Sequence, residues 1–468
     1  MNYSTEDTIA ALSTAAGKSA IAVIRLSGKQ SFEIIDKIFK TKSPANQQIK
    51  YGYIVDGIEK KDEVLCTFFK APDTYTGEDL AEISCHGNPV IIKEILDLLY
   101  KNGARPAEAG EFTYRAFING KKDLAQAEAV CALISSKTAA AAKAALNNVS
   151  GEFSNKIKGI KDTLINLLAF MEVSLDHPEE DIMFLSREEK GLRLGNLTEQ
   201  NQKLMDSYKT SECLQKGLKV AIIGKPNAGK SSLLNSILGK NRAIVTEIAG
   251  TTTDTIEEII DCRGIPLTII DTAGIRTHSE NSIELLGQER SKEAAQKADL
   301  IIWVLDGSRP LDKNDKEIAD FIKQSKLGIP IIEVLNKSDL LQQREGRREK
   351  GGSNSNDTSS LILPASSLSL NVSSKTGSGI PELLDAIAKI AGISETNDYL
   401  MITSRHFDLL KKAQGALEKA KEQYALQDAD EISAFELRNA LSAYENILGI
   451  TTPHDILDTI FSTFCIGK

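Results

Sequence analysis

From Gly224 to Ser231 the chain reads Gly-Lys-Pro-Asn-Ala-Gly-Lys-Ser, which fits G-x-x-x-x-G-K-[ST]. The pattern requires a buried strand before it and a helix after it. Only that turn aims a run of backbone N–H groups and a helix N-terminus at one phosphate group. The flanks agree, with the apolar run LKVAIIG ahead of the motif and SSLLNSILG behind it. Lys230 is placed to reach β- and γ-phosphates and the Ser231 hydroxyl to ligate Mg²⁺. Asn227, Ala228, Gly229 and Ser232 complete the expected phosphate-binding turn.

Three further motifs follow in order, each at the end of an apolar run. Asp271-Thr272-Ala273-Gly274 comes after PLTII. An Asp there holds the Mg²⁺ shell, and a Gly amide senses a γ-phosphate. Asn336-Lys337-Ser338-Asp339 comes after IPIIEVL. A carboxylate at Asp339 accepts the N1–H and exocyclic N–H of guanine, whereas adenine offers an acceptor at N1. Leaving that buried pair unmade should discriminate by ~3 kcal/mol or more. Ser373-Ser374-Lys375 then closes over the base, and Thr251 or Thr252 in IAGTTTD stands where a Mg²⁺-sensing switch belongs. GTP and GDP are therefore the expected ligands. This order resembles the small Ras-like G proteins of the translation-factor-related class. Ile275 stands where Ras-type proteins carry a water-orienting glutamine. Isoleucine cannot hydrogen-bond water, so hydrolysis must be very slow or draw its catalytic groups from elsewhere.

At 468 residues, about three domains of ~150 residues are expected. Residues 1 to about 120 mix strands (Ser19 to Leu26, Val64 to Phe69) with a helix opened by Pro89 and stopped at Asn102-Gly103, and read as an α+β domain. Residues 121–215 are helix-prone and carry an apolar stripe from Ile157 to Leu175. Short apolar runs at 216–379 suit buried, mostly parallel strands of an α/β domain. Residues 380–468 return to helix. The simplest architecture inserts the α/β domain into a helical domain made of two sequence halves. Residues 345–360, EGRREKGGSNSNDTSS, read as a polar surface insertion.

Composition excludes several classes. Net charge is -9 and pI about 5.4, with 5% aromatics, which argues against non-specific clamping of nucleic acid. No apolar run is long enough to span a bilayer, and the N-terminus MNYSTEDTIA lacks a secretory pattern. Six scattered cysteines form no C-x-x-C pair, so a cytoplasmic location without a zinc site is expected. The five histidines show no ligand spacing. Cys465, four residues from the end, lacks the aliphatic neighbour and polybasic stretch of a prenylation site. It reads either as a buried small hydrophobe or as a functional thiol.

The flanking segments carry a second resemblance. GEFTYRAFINGKKDLAQAEAV (110–130), YTGEDLAEISCHGNPVI (75–91), KPNAGKSSLLN (225–235), IVTEIAGTTTDTIEE (244–258) and the terminal Cys-Ile-Gly-Lys are similar to the tRNA modification GTPase family MnmE (TrmE), over essentially the whole chain. The resemblance implies an N-terminal α+β folate-binding-like domain that forms a homodimer, followed by a helical domain split by a Ras-like P-loop GTPase domain. It implies action with an FAD-dependent MnmG (GidA)-type partner in a heterotetramer. The complex would install carboxymethylaminomethyl or aminomethyl groups at C5 of the tRNA wobble uridine, position 34, from a 5-formyl- or 5,10-methylene-tetrahydrofolate donor. Arg25, Glu82, Lys121 and Lys468 match the family's folate contacts, and convergence would require the C-terminal tail to reach the N-terminal domain, with that of a dimer mate favoured. Read without the family, Arg25 and Lys121 are either ligands or solvated cations, and Glu82 either an acceptor or a surface strand residue.

The same resemblance assigns Thr246, Glu247, Ile248, Ala249, Gly250, Thr251 and Thr252 to the nucleotide switch, with Thr252 on Mg²⁺. It assigns a K⁺ cage to Asn227, Thr251 and the backbone oxygens of Thr246 and Ile248. A cation there substitutes for an arginine finger. Glu284 matches the family's catalytic glutamate, and its plain alternative is a solvated helix-start carboxylate. Cys465 is the family-supported thiol near the folate and tRNA chemistry. Thr253 stands where the family's switch often has Arg. A competing reading is an Era-type ribosome-assembly or translation GTPase, a binding switch without covalent chemistry. It would carry a basic RNA-binding module, which residues 380–468 lack. A membrane-bound dynamin-like scaffold would need an amphipathic or basic helix, and none is seen.

Overall fold

The computed structural model describes residues 6–41, 48–176, 186–240, 243–244, 259–270, 295–324, 329–340, 368–393, 399–425 and 430–467. They form two compact units. One comprises Met1–Cys131, Leu146–Met205 and Arg405–Lys468, the other Ala132–Ala145 and Asp206–Ser404.

The first unit opens with β1 (Ile9–Leu12), β2 (Ser19–Ser27), α1 (Ser31–Ile38), β3 (Phe39–Thr41), β4 (Ile49–Asp56), β5 (Glu59–Phe69), β6 (Leu80–Gly87), α2 (Pro89–Lys101), β7 (Arg105–Pro106) and α3 (Glu111–Ile118). The seven strands form one sheet in the order β3-β4-β5-β6-β2-β1-β7, so the expected α+β organisation is present. One sheet face is apolar because alternate residues such as Ala22, Ile24, Leu26, Val64, Cys66, Ile83 and Cys85 point into a core with Ile34, Ile35, Ile95 and Leu99 of α1 and α2. Asn88 caps α2 by accepting from Val90 N at 2.9 Å, and Pro89 occupies its first turn.

Helices α4 (Leu124–Ser135), α5 (Ala139–Val149), α6 (Glu152–Asp176) and α7 (Arg187–Asp206) follow, and Ser404–Ala425, Asp430–Leu448 and His454–Ser462 return after the α/β region. The helix-prone run is broken at 136–138, between α4 and α5. There Thr138 turns the chain and caps α5 through Ala141 N, 3.2 Å away. A buried polar network joins the two sequence halves of the helical region. Tyr444 donates to Asn201 Oδ1 at 3.0 Å, and Asn201 Nδ2 donates to the Leu410 carbonyl at 3.0 Å and to Gln414 Oε1 at 2.8 Å. Glu128 of α4 lies 2.6 Å from both Arg405 and His406.

The second unit holds α8 (Tyr208–Lys216), β8 (Leu218–Ile223), α9 (Lys230–Lys240), β9 (Ala243–Ile244), β10 (Ile259–Cys262), β11 (Ile265–Ile270), β12 (Leu300–Asp306), β13 (Ile331–Asn336) and β14 (Leu368–Asn371), with further helices at Lys313–Gln324 and Ile380–Ile390. The sheet order is β14-β13-β12-β8-β11-β10-β9. The pairings among β14, β13, β12, β8 and β11 are parallel, and β10 and β11 form an antiparallel hairpin. Residues on both faces of β8 and β12 are buried, as all of Leu300–Asp306 is, which is why those runs lack alternation.

Candidate nucleotide and folate sites

Parallel strands ending on one side place β8, β12, β13 and β14 with their C-terminal loops together, the usual ligand crevice of such sheets. The turn from β8 to α9 contains Gly229 at φ 95°. A Cβ added there would meet Asn336 Nδ2 at 2.2 Å, so the close approach of the two loops requires glycine. Asn336, at the end of β13, donates through Nδ2 to the carbonyls of Ala228 at 3.1 Å and Gly229 at 3.4 Å. Its Oδ1 accepts from Lys337 N at 2.8 Å, Ser374 N at 3.1 Å and Ser374 Oγ at 2.9 Å. One buried amide thus ties the phosphate turn, the Asn336–Asp339 loop and the Ser373–Lys375 loop into a single body. Ser373 Oγ bonds Asp339 Oδ1 at 2.8 Å and orients that carboxylate.

These loops enclose a cavity of about 620 Å³ lined by Gly229, Ser232, Asn336, Lys337, Asp339 and Lys375, among others, which is roomy enough for a nucleoside. Lys230 Nζ donates to the carbonyls of Gly224 at 2.7 Å and Lys225 at 2.9 Å, folded back along its own turn. Burial pulls its ammonium below the ordinary lysine range. Ser231 stands in the first turn of α9, Asn227 in the turn itself at φ 61°. Their hydroxyl and amide oxygens are hard donors, chemically suited to Mg²⁺ and K⁺ respectively.

The sequence did not single out Asn235 and Ser236, which also line the cavity. They lie three and four residues after Ser232 on α9, so one helix face carries all three. Ser236 Oγ donates to the Ser374 carbonyl at 2.5 Å. Asp306 and Lys225 were missed as well. Lys337 Nζ lies 2.7 Å from Asp306 Oδ2 and 3.0 Å from the Asn227 carbonyl. Burial works to raise the Asp306 carboxyl, but Lys337 and Ser308 outweigh it and hold it below the usual carboxylate range. The expected ligands Thr246, Glu247, Ile248, Ala249, Gly250, Thr251, Thr252, Asp271, Thr272, Ala273, Gly274 and Glu284 lie outside the described residues, as do Ile275 and the insertion at 345–360. Among the described residues, no group of three or more His, Cys, Asp and Glu side chains gathers to hold a metal ion.

The folate candidates lie in the first unit. Arg25 on β2 is the register partner of Glu82 on β6, and its Nε and NH2 both donate to Glu82 Oε1, at 2.9 and 2.8 Å. The Arg25 guanidinium sits 5.4 Å from the Tyr75 ring and 5.7 Å from the Phe112 ring. Lys122, which the sequence did not single out, approaches the same Tyr75 ring at 5.9 Å. Burial lowers its ammonium, with Asp123 opposing. Lys121 is 4.0 Å from Asp73 on the adjoining loop. Lys468 lies outside the described residues.

The tail before it is placed, and it corrects one expectation. Ile466 forms a bridge with Ala109, Gly110 N donates to the Cys465 carbonyl at 3.4 Å, and Ser13 Oγ donates to the Gly467 carbonyl at 3.1 Å. The tail therefore reaches the N-terminal domain of its own chain. The preceding Phe461 and Phe464 anchor it in a cluster with Tyr114 and Leu124. Cys465 is exposed, so the buried-hydrophobe reading fails, whereas Cys66, Cys85, Cys213 and Cys262 are buried.

With both sites laid out, sequence comparison is decisive. The family model described as the MnmE helical domain matches residues 124–465, and that described as the GTP-binding protein TrmE N-terminus matches residues 8–121. The chain belongs to the MnmE (TrmE) family. The tRNA modification GTPase MnmE of Endomicrobium trichonymphae is 64% identical over 469 residues, with all of both chains covered. That of Aquifex aeolicus is 42% identical over 468 residues, covering 98% of this chain and 99% of the relative. That of Clostridioides difficile is 41% identical over 472 residues, with 99% of each covered. MnmE relatives thus span both flanks as well as the α/β unit. No helix among the described residues is long and apolar enough to cross a membrane.

Proposed function

We propose that this GTPase of tRNA modification binds guanine nucleotide in the cavity between α9 and the loops after β13 and β14, and acts on the wobble uridine with a reduced-folate donor. The observation that carries the reading is the convergence of Gly229, Asn336, Lys337, Asp339 and Ser374 around one cavity. Asp339, held by Ser373, selects guanine. The Gly224–Ser231 turn and Lys230 bind the phosphates, and the N-terminus of α9 favours their charge. Lys230 exchanges two backbone carbonyls for phosphate oxygens when nucleotide enters. Ser231 and Thr252 would hold Mg²⁺, and Asn227, Thr246, Ile248 and Thr251 would hold K⁺. Bound there, the cations supply positive charge against the developing phosphate charge. Glu284 orients the attacking water.

The Arg25, Tyr75, Phe112 and Lys122 cluster supports a folate reading, since planar rings and cations suit a pterin and its glutamate tail. The chain works as a homodimer with an FAD-dependent MnmG-type partner in the cytoplasm. The Era-type alternative is set aside because both flanking regions match MnmE models. The test is mass spectrometry of wobble nucleosides from cells lacking this chain. Loss of the 5-aminomethyl-type uridines, restored by the wild-type chain and not by Lys230→Ala, is the expected result. An unchanged nucleoside profile would overturn the reading.

A further inference from the structure

The segment leaving β12 carries Asp306, Asp312 and Asp315, and these carboxylates hold lysines at two points of the phosphate turn. Asp306 is 7% exposed, and its Oδ1 accepts from Ser308 N at 3.0 Å and Ser308 Oγ at 2.5 Å. Its orientation is fixed by its own segment, which leaves Oδ2 to draw Lys337 Nζ to 2.7 Å. Lys337, itself at φ 64°, then donates to the Asn227 carbonyl at 3.0 Å. Two residues before Asn227, Lys225 Nζ lies 2.7 Å from Asp315 Oδ2 and 2.9 Å from Asp312 Oδ2. Asp315 is 1% exposed. Asp312 and Asp315 also accept each other's backbone N–H, at 3.1 and 3.2 Å.

At the Lys337 anchor Asn227 holds a left-handed φ of 61°, a conformation that non-glycine residues rarely keep unaided. The peptide unit is planar and trans, so fixing the Asn227 carbonyl toward Lys337 also fixes the Ala228 N–H on the opposite side. Strain in the turn is thus held by charge-assisted bonds from outside it. Both carboxylates are largely out of water, where such bonds are strongest.

We propose that Asp306 and Asp315 are positioning residues of the GTPase site, bracing the phosphate turn at Asn227 and Lys225 through Lys337 and Lys225 and so setting how long the nucleotide stays bound. They act through the lysines, and the inference rests on the guanine-nucleotide reading above.

The experiment loads the full chain with a fluorescent guanosine diphosphate and follows its release by stopped flow. Loss of a charge-assisted contact in Asp306→Asn or Asp315→Asn should speed release by about tenfold. The preference for GTP over ATP should hold, since Asp339 is untouched, and Asp306→Glu should recover most of the retention. A merely structural role would lower the thermal midpoint and leave release unchanged. Release within about twofold of wild type in both folded variants would overturn the proposal. If Asp306→Asn does not fold, Lys225→Met carries the same measurement with the same two outcomes. A wild-type chain that fails to bind the diphosphate would instead refute the nucleotide reading.

Discussion

Asn336 Nδ2 donates to the Ala228 carbonyl at 3.1 Å, across 108 residues of sequence. The base-reading loop and the phosphate turn are therefore one rigid body, and a change in either is felt in both. Asp339 shares that body, yet its role separates cleanly. Asp339→Asn should erode guanine selection, worth ~3 kcal/mol, while leaving phosphate binding in place. Calorimetry with GTP and ATP checks this, and wild-type binding of ATP within about tenfold of GTP would remove the basis for the assignment.

Gly229→Ala tests the same junction sterically. The new Cβ would meet Asn336 Nδ2 at 2.2 Å with φ at 95°. An L-residue in that region costs about 1–2 kcal/mol before any clash. The expected outcome is a folded α/β unit that no longer retains GDP, read by chemical denaturation beside nucleotide titration. Undiminished GDP affinity would show that the two loops move apart freely.

Much of this was legible in the sequence, for identifiable reasons. Guanine and phosphate are read by short local motifs, so Gly224–Ser231 and Asn336–Asp339 announce themselves. Strands buried on both faces, such as Leu300–Asp306, stand out as apolar runs. Strand Ile49–Asp56 does not, because alternate residues face an open sheet surface and dilute the apolar signal. Its hairpin signal, Asp56-Gly57 with Gly57 at φ 60°, was present and passed over. Asp306 joins the site through tertiary contact alone, and no local pattern marks it. The tail's docking on its own chain depends on the Phe461–Phe464 anchor, which reads as ordinary helix.

The tail invites its own test. Gly467 has φ 91°, and a Cβ there would meet the Leu12 carbonyl at 2.2 Å. Gly467→Ala should detach the tail without altering charge, and weaken binding of a reduced folate about tenfold if the tail closes that site. Removal of Ile466 to Lys468 should act alike, and Arg25→Ala should weaken binding further by freeing Glu82. Calorimetry with 5-formyl-tetrahydrofolate reads all three. Equal affinity in the wild type and both tail variants would exclude the tail from the site.

Glu128 governs the acid stability of the helical region. Burial alone would raise its carboxyl, but His406 and the Arg405 guanidinium beside it hold it down at about 2. Arg405 also donates to the carbonyls of Asn446 at 2.9 Å and Ile447 at 3.2 Å, so it cannot swing away. Burial pulls the His406 imidazole down, and Glu128, 2.6 Å away, opposes it. A carboxyl depressed on folding stabilises the folded state fully above its unfolded value of ~4.5. That contribution is lost as pH falls from there toward about 2. Thermal unfolding of the full chain should therefore show a midpoint that drops across this window. Glu128→Gln should flatten the drop and cost about 3 kcal/mol at neutral pH, because Arg405 keeps its buried charge without a carboxylate. A Glu128→Gln chain with the wild-type acid profile would assign the loss to other carboxylates.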